Sequence, residues 1–391
     1  MKNRWTALVY TLLSYILVAA AASFLTLTFC TPPAFSSQPS KLEELEGLIE
    51  AVFIGETDRT AMEDGAAAGM IDALGDRWSY YVPAAEFAAF QEQSNNAYVG
   101  IGVTITVRED GLGFDILQVE PGGPAREAGL LPGDIIVAVE GENAFEMGTD
   151  GARDRIRGDE GTPVNITIQR DGQQMDVTLV RKSIQVQVAT GQLLEEKIGY
   201  VSINNFNSRC AEESIAVIED LMSQGATALV LDVRNNPGGY KKELVDLLDY
   251  LLPEGELFRS LDYTGKSSVD TSDSKCLKIP MAVLINGDSY SAAEFFAAAL
   301  VEYDWAVTVG QATTGKGYFQ STYSLSDGSA AALSIGKYFT PNGVSLAEVG
   351  GLVPMIPVEV DAETAALIYG DLLNPGEDPQ IQAAIDYLRN R

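Results

Sequence analysis

Three short segments hold the residues able to do covalent chemistry, and the absence of histidine decides which chemistry is open to them. The 391-residue chain has no imidazole, so a Ser-His-Asp triad, a Cys-His dyad and histidine-ligated metal are excluded. Proton transfer falls to Lys, Asp, Glu, Tyr or a terminus. Ser291 stands where the apolar run MAVLI gives way, through Gly287 and Asp288, to a helical pattern. A serine at such a point is ordinarily an N-cap. The same place suits a nucleophile, because the helix dipole and the N–H of Ala292 favour negative charge on a nearby oxygen. Glu294, three residues on, shares the face of Ser291 and reads as the partner in a capping box. Lys316 lies between Gly315 and Gly317 in TTGKGYFQ; kept neutral by burial, it is the best available base for the serine. Gln320, four residues on, is placed to orient the amine. Gly238 and Gly239 in NNPGGY follow another buried strand; a tight turn is their ordinary role, and backbone N–H groups turned into an oxyanion hole are the functional one. Nucleophile, base and oxyanion donors together amount to acyl transfer.

The elements that position these segments follow from periodicity. From Ile198 the chain alternates strand with helix: IGYVSI, AEESIAVIEDLMSQG, ALVLDVR, KKELVDLLDYLL, MAVLING, SAAEFFAAALVEY and AVTVG. Continuous apolar strands joined by helices predict a mostly parallel sheet covered on both faces, with functional loops at the carboxyl ends of its strands. Before it, YVGIGVTITV, GFDILQVEPGGPAREAGLLPGDIIVAVEG and TPVNITIQRDGQQMDVTLVRK alternate short β runs with Gly and Pro turns, predicting a compact β-rich module. Leu42, Leu45, Leu48, Ile49, Val52 and Phe53, then Met62, Ala66, Met70, Ile71 and Leu74, recur at helical spacing. The expected division is an apolar anchor over 1–30, a linker over 31–40, a helical module over 41–95, the β-rich module over 96–183, an α/β catalytic core over 184–365 and a C-terminal helix over 366–391.

In combination these motifs resemble the carboxyl-terminal processing peptidases, also called tail-specific proteases. S-Y-S-A-A-E (Ser289 to Glu294) is similar to the family's nucleophile segment, with Ser291 at the serine position. Gly315 to Gln320 matches the family's GKGxxQ segment, and DVRNNPGG (Asp232 to Gly239) its strand and glycine loop. Ala293 stands where a serine is common, and VPMIPV near residue 353 lacks the usual Pro-Asp pair. The β-rich module looks like that family's PDZ domain: YVGIGV (Tyr98 to Val103) resembles the carboxylate-binding loop, and Gly122 to Gly141 the usual PDZ signature. The resemblance implies a ClpP/crotonase-like αβ core and a serine endopeptidase with a Ser291–Lys316 dyad assisted by Gln320. It places Ala292 with Gly238 or Gly239 in the oxyanion hole, and the N–H groups of Gly100, Ile101 and Gly102 on the carboxylate of a substrate tail, whose strand adds to the sheet edge.

Charge and termini set the partners. With 55 acidic against 26 basic side chains and a net charge of −29, no nucleic acid is expected as a partner. After Lys2 and Arg4 no charge appears before Lys41, and Trp5 to Cys30 is apolar enough to cross a bilayer. The cations precede it, which places the N-terminus inside and the globular part outside; a signal peptide cut near Ala34 is the alternative. Cys30, Cys210 and Cys276 have no metal-ligand spacing, and no metal or organic cofactor is implied. Cys210 and Cys276 either pair outside the cytoplasm or remain small buried thiols. The expected partners are protein C-termini, with homo-oligomers left open. A tethered PDZ scaffold without activity is the rival function, and acyl-CoA chemistry on a crotonase-like core a weaker one.

Overall fold

The computed structural model describes residues 40–370 and 372–390; the expected anchor over 1–30 and nearly all of the linker lie outside these. Contacts divide the chain between Met70 and Ile71. In the first unit, Ser40 and Glu43 close a capping box on the helix Lys41–Val52. The helix Arg59–Asp72 follows, and Arg59 pairs with Glu46 at 2.9 Å. Leu42, Leu45 and Leu48 are exposed.

The second unit contains a six-stranded sheet in the order Ala189–Leu193, Ile198–Ile203, Ala228–Asp232, Met281–Ile285, Ala306–Gly310 and Ile356–Pro357. Only the first pair is antiparallel. Ala228–Asp232 and Met281–Ile285 are buried at every position, which is why both read as unbroken apolar runs. The strand period of two then divides the core. Leu229, Leu231, Val283 and Ile285 pack with the helices Cys210–Ser223, Lys241–Leu251 and Ala292–Glu302. Val230, Ala282, Leu284, Val307 and Val309 pack instead on Ile381, Ala384, Ile385 and Leu388 of the helix Pro379–Arg389.

That last helix also reaches the glycine loop through charge. Arg234, just beyond Ala228–Asp232, is buried and forms an ion pair with Asp232. It also donates to Asp378 at 2.8 Å and Gln380 at 2.9 Å. Tyr200 donates to Asp232 at 2.7 Å, and Asp378 caps the helix by accepting from the N–H groups of Gln380 and Ile381. A buried guanidinium is tolerated because its donors are met by two carboxylates and an amide.

A second, five-stranded antiparallel sheet joins Tyr80–Val82, Ala330–Phe339, Gly255–Asp262, Ser267–Ser272 and Tyr318–Ser324. It corrects the expected helical module over 41–95: three residues, Tyr80–Val82, form a strand on Ala330–Ala332, and β-prone tyrosines in so short a run leave no period to detect. The expected C-terminal helix over 366–391 is likewise two helices, Ala362–Tyr369 and Pro379–Arg389, separated around Pro375 and Gly376, residues that interrupt a helix.

The β-rich module has a six-stranded sheet, led by Val103–Val107 and Phe114–Val119, around Phe114, Ile116, Ile136, Ile166 and Ile168. Its helix Ala144–Ile156 is kinked at Gly148. Ala97–Gly100 and Lys182–Gln185 pair where the chain enters and leaves it. Arg209 fastens both passages, donating to the carbonyls of Asn95 (2.9 Å), Asn96 (3.0 Å) and Val186 (2.8 Å). Cys210 and Cys276 are free thiols, and burial pushes Cys210 up to about 12.

Candidate active site

The two loops expected to carry chemistry are sewn together by side chains that sequence reading passed over. Asn286 accepts from the Asn235 N–H at 2.9 Å and donates to the Asn235 side chain at 2.7 Å. Ser289, fully buried, donates to the Val233 carbonyl at 2.7 Å, and the Tyr290 N–H donates to the Asn236 carbonyl at 3.2 Å. These bonds hold the glycine pair against Ser291. A Cβ added to Gly238 (φ +87°) would lie 2.7 Å from the Ser291 Cβ and 2.8 Å from the Ala292 nitrogen, so only glycine fits there.

Ser291 begins the helix Ala292–Glu302 at φ 58°, ψ −122°, a conformation that costs about 1–3 kcal/mol for a residue with a Cβ. Such strain persists only where the surroundings impose it, and Glu294 does so. This fully buried carboxylate accepts on Oε1 from the Ser291 N–H (3.0 Å) and the Lys316 N–H (2.6 Å). On Oε2 it accepts from Thr313 Oγ1 (2.8 Å) and the Gly315 N–H (2.9 Å). Burial pushes its carboxyl above the ordinary value, partly offset by these donors. The expected capping role is therefore half of the story, since the same oxygen also fixes the lysine loop.

Lys316 lines the cavity that Ser291 also lines, about 1260 Å³ in volume. Its ammonium nitrogen lies 4.7 Å from the centre of the Trp78 ring and 5.9 Å from that of Tyr290. Burial lowers its pKa to about 8; Glu294 and Asp76 resist the fall and Arg77 assists it. At that value about a tenth of the amine is neutral at pH 7, the form a general base requires. No hydrogen bond joins Lys316 Nζ to Ser291 Oγ among the described residues. Tyr338 ties the two segments from below. Its hydroxyl donates to the Lys316 carbonyl, and it lines the cavity beside Ser291. Its ring packs on Phe258 and Phe295 at 5.6 and 5.7 Å.

Other expected residues fall differently. Gln320 lines the cavity but donates to Ser334 Oγ (2.9 Å) and the Tyr318 carbonyl (3.3 Å). It makes no hydrogen bond to the Lys316 amine, because its amide faces the neighbouring strand Ala330–Phe339. Gly238 donates its N–H to Asn236 Oδ1 at 2.8 Å, so that N–H is already taken and not free for an oxyanion; the N–H groups of Gly239 and Ala292 have no acceptor among the described residues. Gly100, Ile101 and Gly102 lie in the β-rich module. The Ala125 N–H donates to the Ile101 carbonyl and the Glu120 N–H to that of Gly102; separately, the Ile101 and Gly102 N–H groups have no acceptor among the described residues. No cluster of potential metal ligands occurs among them either, and no described helix is long and apolar enough to cross a membrane. Trp78, Asn286, Glu294 as a bridge, and Tyr338 were missed or only half read.

Residues 197–358 match Peptidase family S41 and residues 116–170 match a PDZ domain. The carboxy-terminal processing protease CtpA of Bacillus subtilis is 30% identical over 370 residues, covering 92% of this chain and 78% of that protein. The chain belongs to the carboxyl-terminal processing peptidases of family S41. A second member of this family, the carboxyl-terminal-processing protease of Synechocystis, is also 30% identical, over 336 residues that span 84% of this chain and 76% of the relative. In fold, the chain resembles a putative S41 protease from Bacteroides fragilis, with a TM-score of 0.52 over 87% of this chain and 93% of the other at 16% identity. Membership makes the αβ core a serine-peptidase fold, and the β-rich module is its PDZ domain.

Proposed function

We propose that this S41 peptidase acts outside the cytoplasm, tethered by its apolar N-terminus, and cleaves protein substrates whose C-terminal tails dock on the PDZ loop Gly100–Gly102. Ser291 is the nucleophile and Lys316 its base. The neutral amine takes the Ser291 proton as Oγ attacks the scissile carbonyl, and the N–H groups of Ala292 and Gly239 receive the oxyanion. The ammonium then protonates the leaving amine, and water, deprotonated by the same lysine, hydrolyses the acyl-enzyme. The observation that carries this reading is the shared carboxylate oxygen: Glu294 Oε1 accepts from the backbone of both Ser291 and Lys316, which brings a strained serine and a buried lysine to one cavity.

The test is the pair Ser291→Ala and Lys316→Ala, assayed on fluorescein-labelled casein. Both are expected to abolish cleavage with an unchanged circular dichroism spectrum. Residual cleavage by both variants overturns the dyad. Labelling of Ser291 by a fluorophosphonate separates a peptidase from a tethered scaffold, because a scaffold leaves the serine unmodified.

A further inference from the structure

The turn before the strand Tyr80–Val82 carries three side chains that the dyad does not account for, and all three bear on one atom. Trp78 presents its ring 4.7 Å from Lys316 Nζ, and the Arg77 guanidinium lies 4.2 Å from the same ring. Trp78 also packs on Tyr290, the neighbour of Ser291, at 5.7 Å. The turn is held rigidly. Asp76 accepts from the Trp78 N–H (3.1 Å) and from Ser79 Oγ (2.6 Å). Ser79 Oγ in turn accepts from the Ser334 N–H at 3.0 Å, and Ser334 is the residue that Gln320 grips. Gln320 therefore braces the turn that faces the lysine, although it does not touch the amine.

We propose that the Asp76–Ser79 turn is the seat of the Lys316 amine, with Trp78 as the positioning residue that aims it within the cavity. A lysine side chain is long and flexible, and this cavity is wide. An aromatic face on one side limits the amine to a narrow set of positions, and such pre-positioning is worth more to a rate than to substrate affinity. Asp76 and Arg77 bias the charge on the amine in opposite senses. Burial alone would raise the Asp76 carboxyl, but hydrogen bonds from Ser334, Ser79 and the Trp78 N–H, with the Lys316 charge, hold it below the ordinary range. The groups facing Lys316 are thus Glu294, Asp76 and Arg77, with the Tyr290 ring and the Tyr338 hydroxyl. The inference rests on Lys316 being the base.

The experiment compares Lys316→Ala, Trp78→Leu, Trp78→Phe, Asp76→Asn and Arg77→Gln in the full chain. It measures casein turnover and the pH dependence of Ser291 labelling by a fluorophosphonate, a probe that does not need the PDZ domain. Trp78→Leu is expected to lower kcat by roughly tenfold or more with KM within about twofold, and Trp78→Phe to restore most of the loss. The acidic limb of the labelling profile is expected to move by about half a pH unit, downward for Asp76→Asn and upward for Arg77→Gln. A purely structural role for the turn does not produce opposite displacements. If Lys316→Ala is inactive while the Trp78, Asp76 and Arg77 variants keep wild-type kcat and limb position, the seat is refuted and the dyad stands. If Lys316→Ala still labels and cleaves, the dyad falls and the seat with it. Should Trp78→Leu fail to fold, Arg77→Gln decides alone, since that side chain is exposed.

Discussion

Replacing Lys316 by methionine converts the claim about its charge into a stability measurement. Its pKa falls from 10.5 to about 8 on folding, chiefly through burial, with Glu294 and Asp76 opposing and Arg77 assisting. Because the folded value lies below the unfolded one, the unfolded chain holds the extra proton between about pH 8 and 10.5. Stability therefore rises with pH across that window and is lost as pH falls through the folded value. At about pH 7 the penalty for burying the ammonium is about 3 kcal/mol, and by about pH 10 it has shrunk to roughly 1 kcal/mol. Methionine keeps the length and apolar stem without the proton. Urea unfolding of wild type and Lys316→Met, followed by tryptophan fluorescence at several pH values, reads the difference directly. The gap between the two proteins should shift by about 2 kcal/mol between pH 7 and 10 in favour of the wild type. A gap that does not change with pH means a solvated, ordinary lysine, protonated at neutral pH, and the base is then elsewhere.

Glu294→Ala leaves the N–H groups of Ser291, Gly315 and Lys316 unpaired, and at about 1–3 kcal/mol for each buried donor the loss should exceed about 3 kcal/mol. Glu294→Gln retains one acceptor oxygen and should lose roughly half as much; equal losses in thermal melts would contradict the bridging role. Ser291→Gly relaxes the backbone at φ 58° and should raise stability by about 1 kcal/mol while abolishing cleavage, which calorimetry and the casein assay check together. Gly238→Ala drives a methyl group against Ser291 and Ala292; kcat should fall by about a hundredfold in a protein that still melts cooperatively, and an unimpaired phosphonate reaction would show that the serine had not been displaced.

Ser291, Lys316 and the Gly238–Gly239 pair were legible because each sits at a strand end in a short local pattern. The central strands were equally legible, since burial on both faces leaves an uninterrupted apolar run such as MAVLI. Glu294 was half legible. Its reach to Ser291 spans three residues and follows from helix geometry, whereas its bonds to Thr313, Gly315 and Lys316 cross 19 to 22 positions and depend on how two loops meet. Trp78 gave no local signal: it lies on the far side of the PDZ domain in sequence and gains meaning only where Tyr80–Val82 joins Ala330–Phe339. That second sheet escaped notice for a related reason. Strands such as Tyr318–Ser324 are half-exposed and mixed in polarity, so neither an apolar run nor strict alternation marks them. Gln320 was misjudged because spacing along a strand cannot say which face its amide takes.

Arg234 finds two of its partners, Asp378 and Gln380, 144 and 146 residues further along the chain. During synthesis the guanidinium beneath the glycine loop has only Asp232 until that distant helix emerges and docks. Without that helix a buried cation beside the glycine loop is short of two acceptors, so damage 144 residues away in sequence is felt at the cleft.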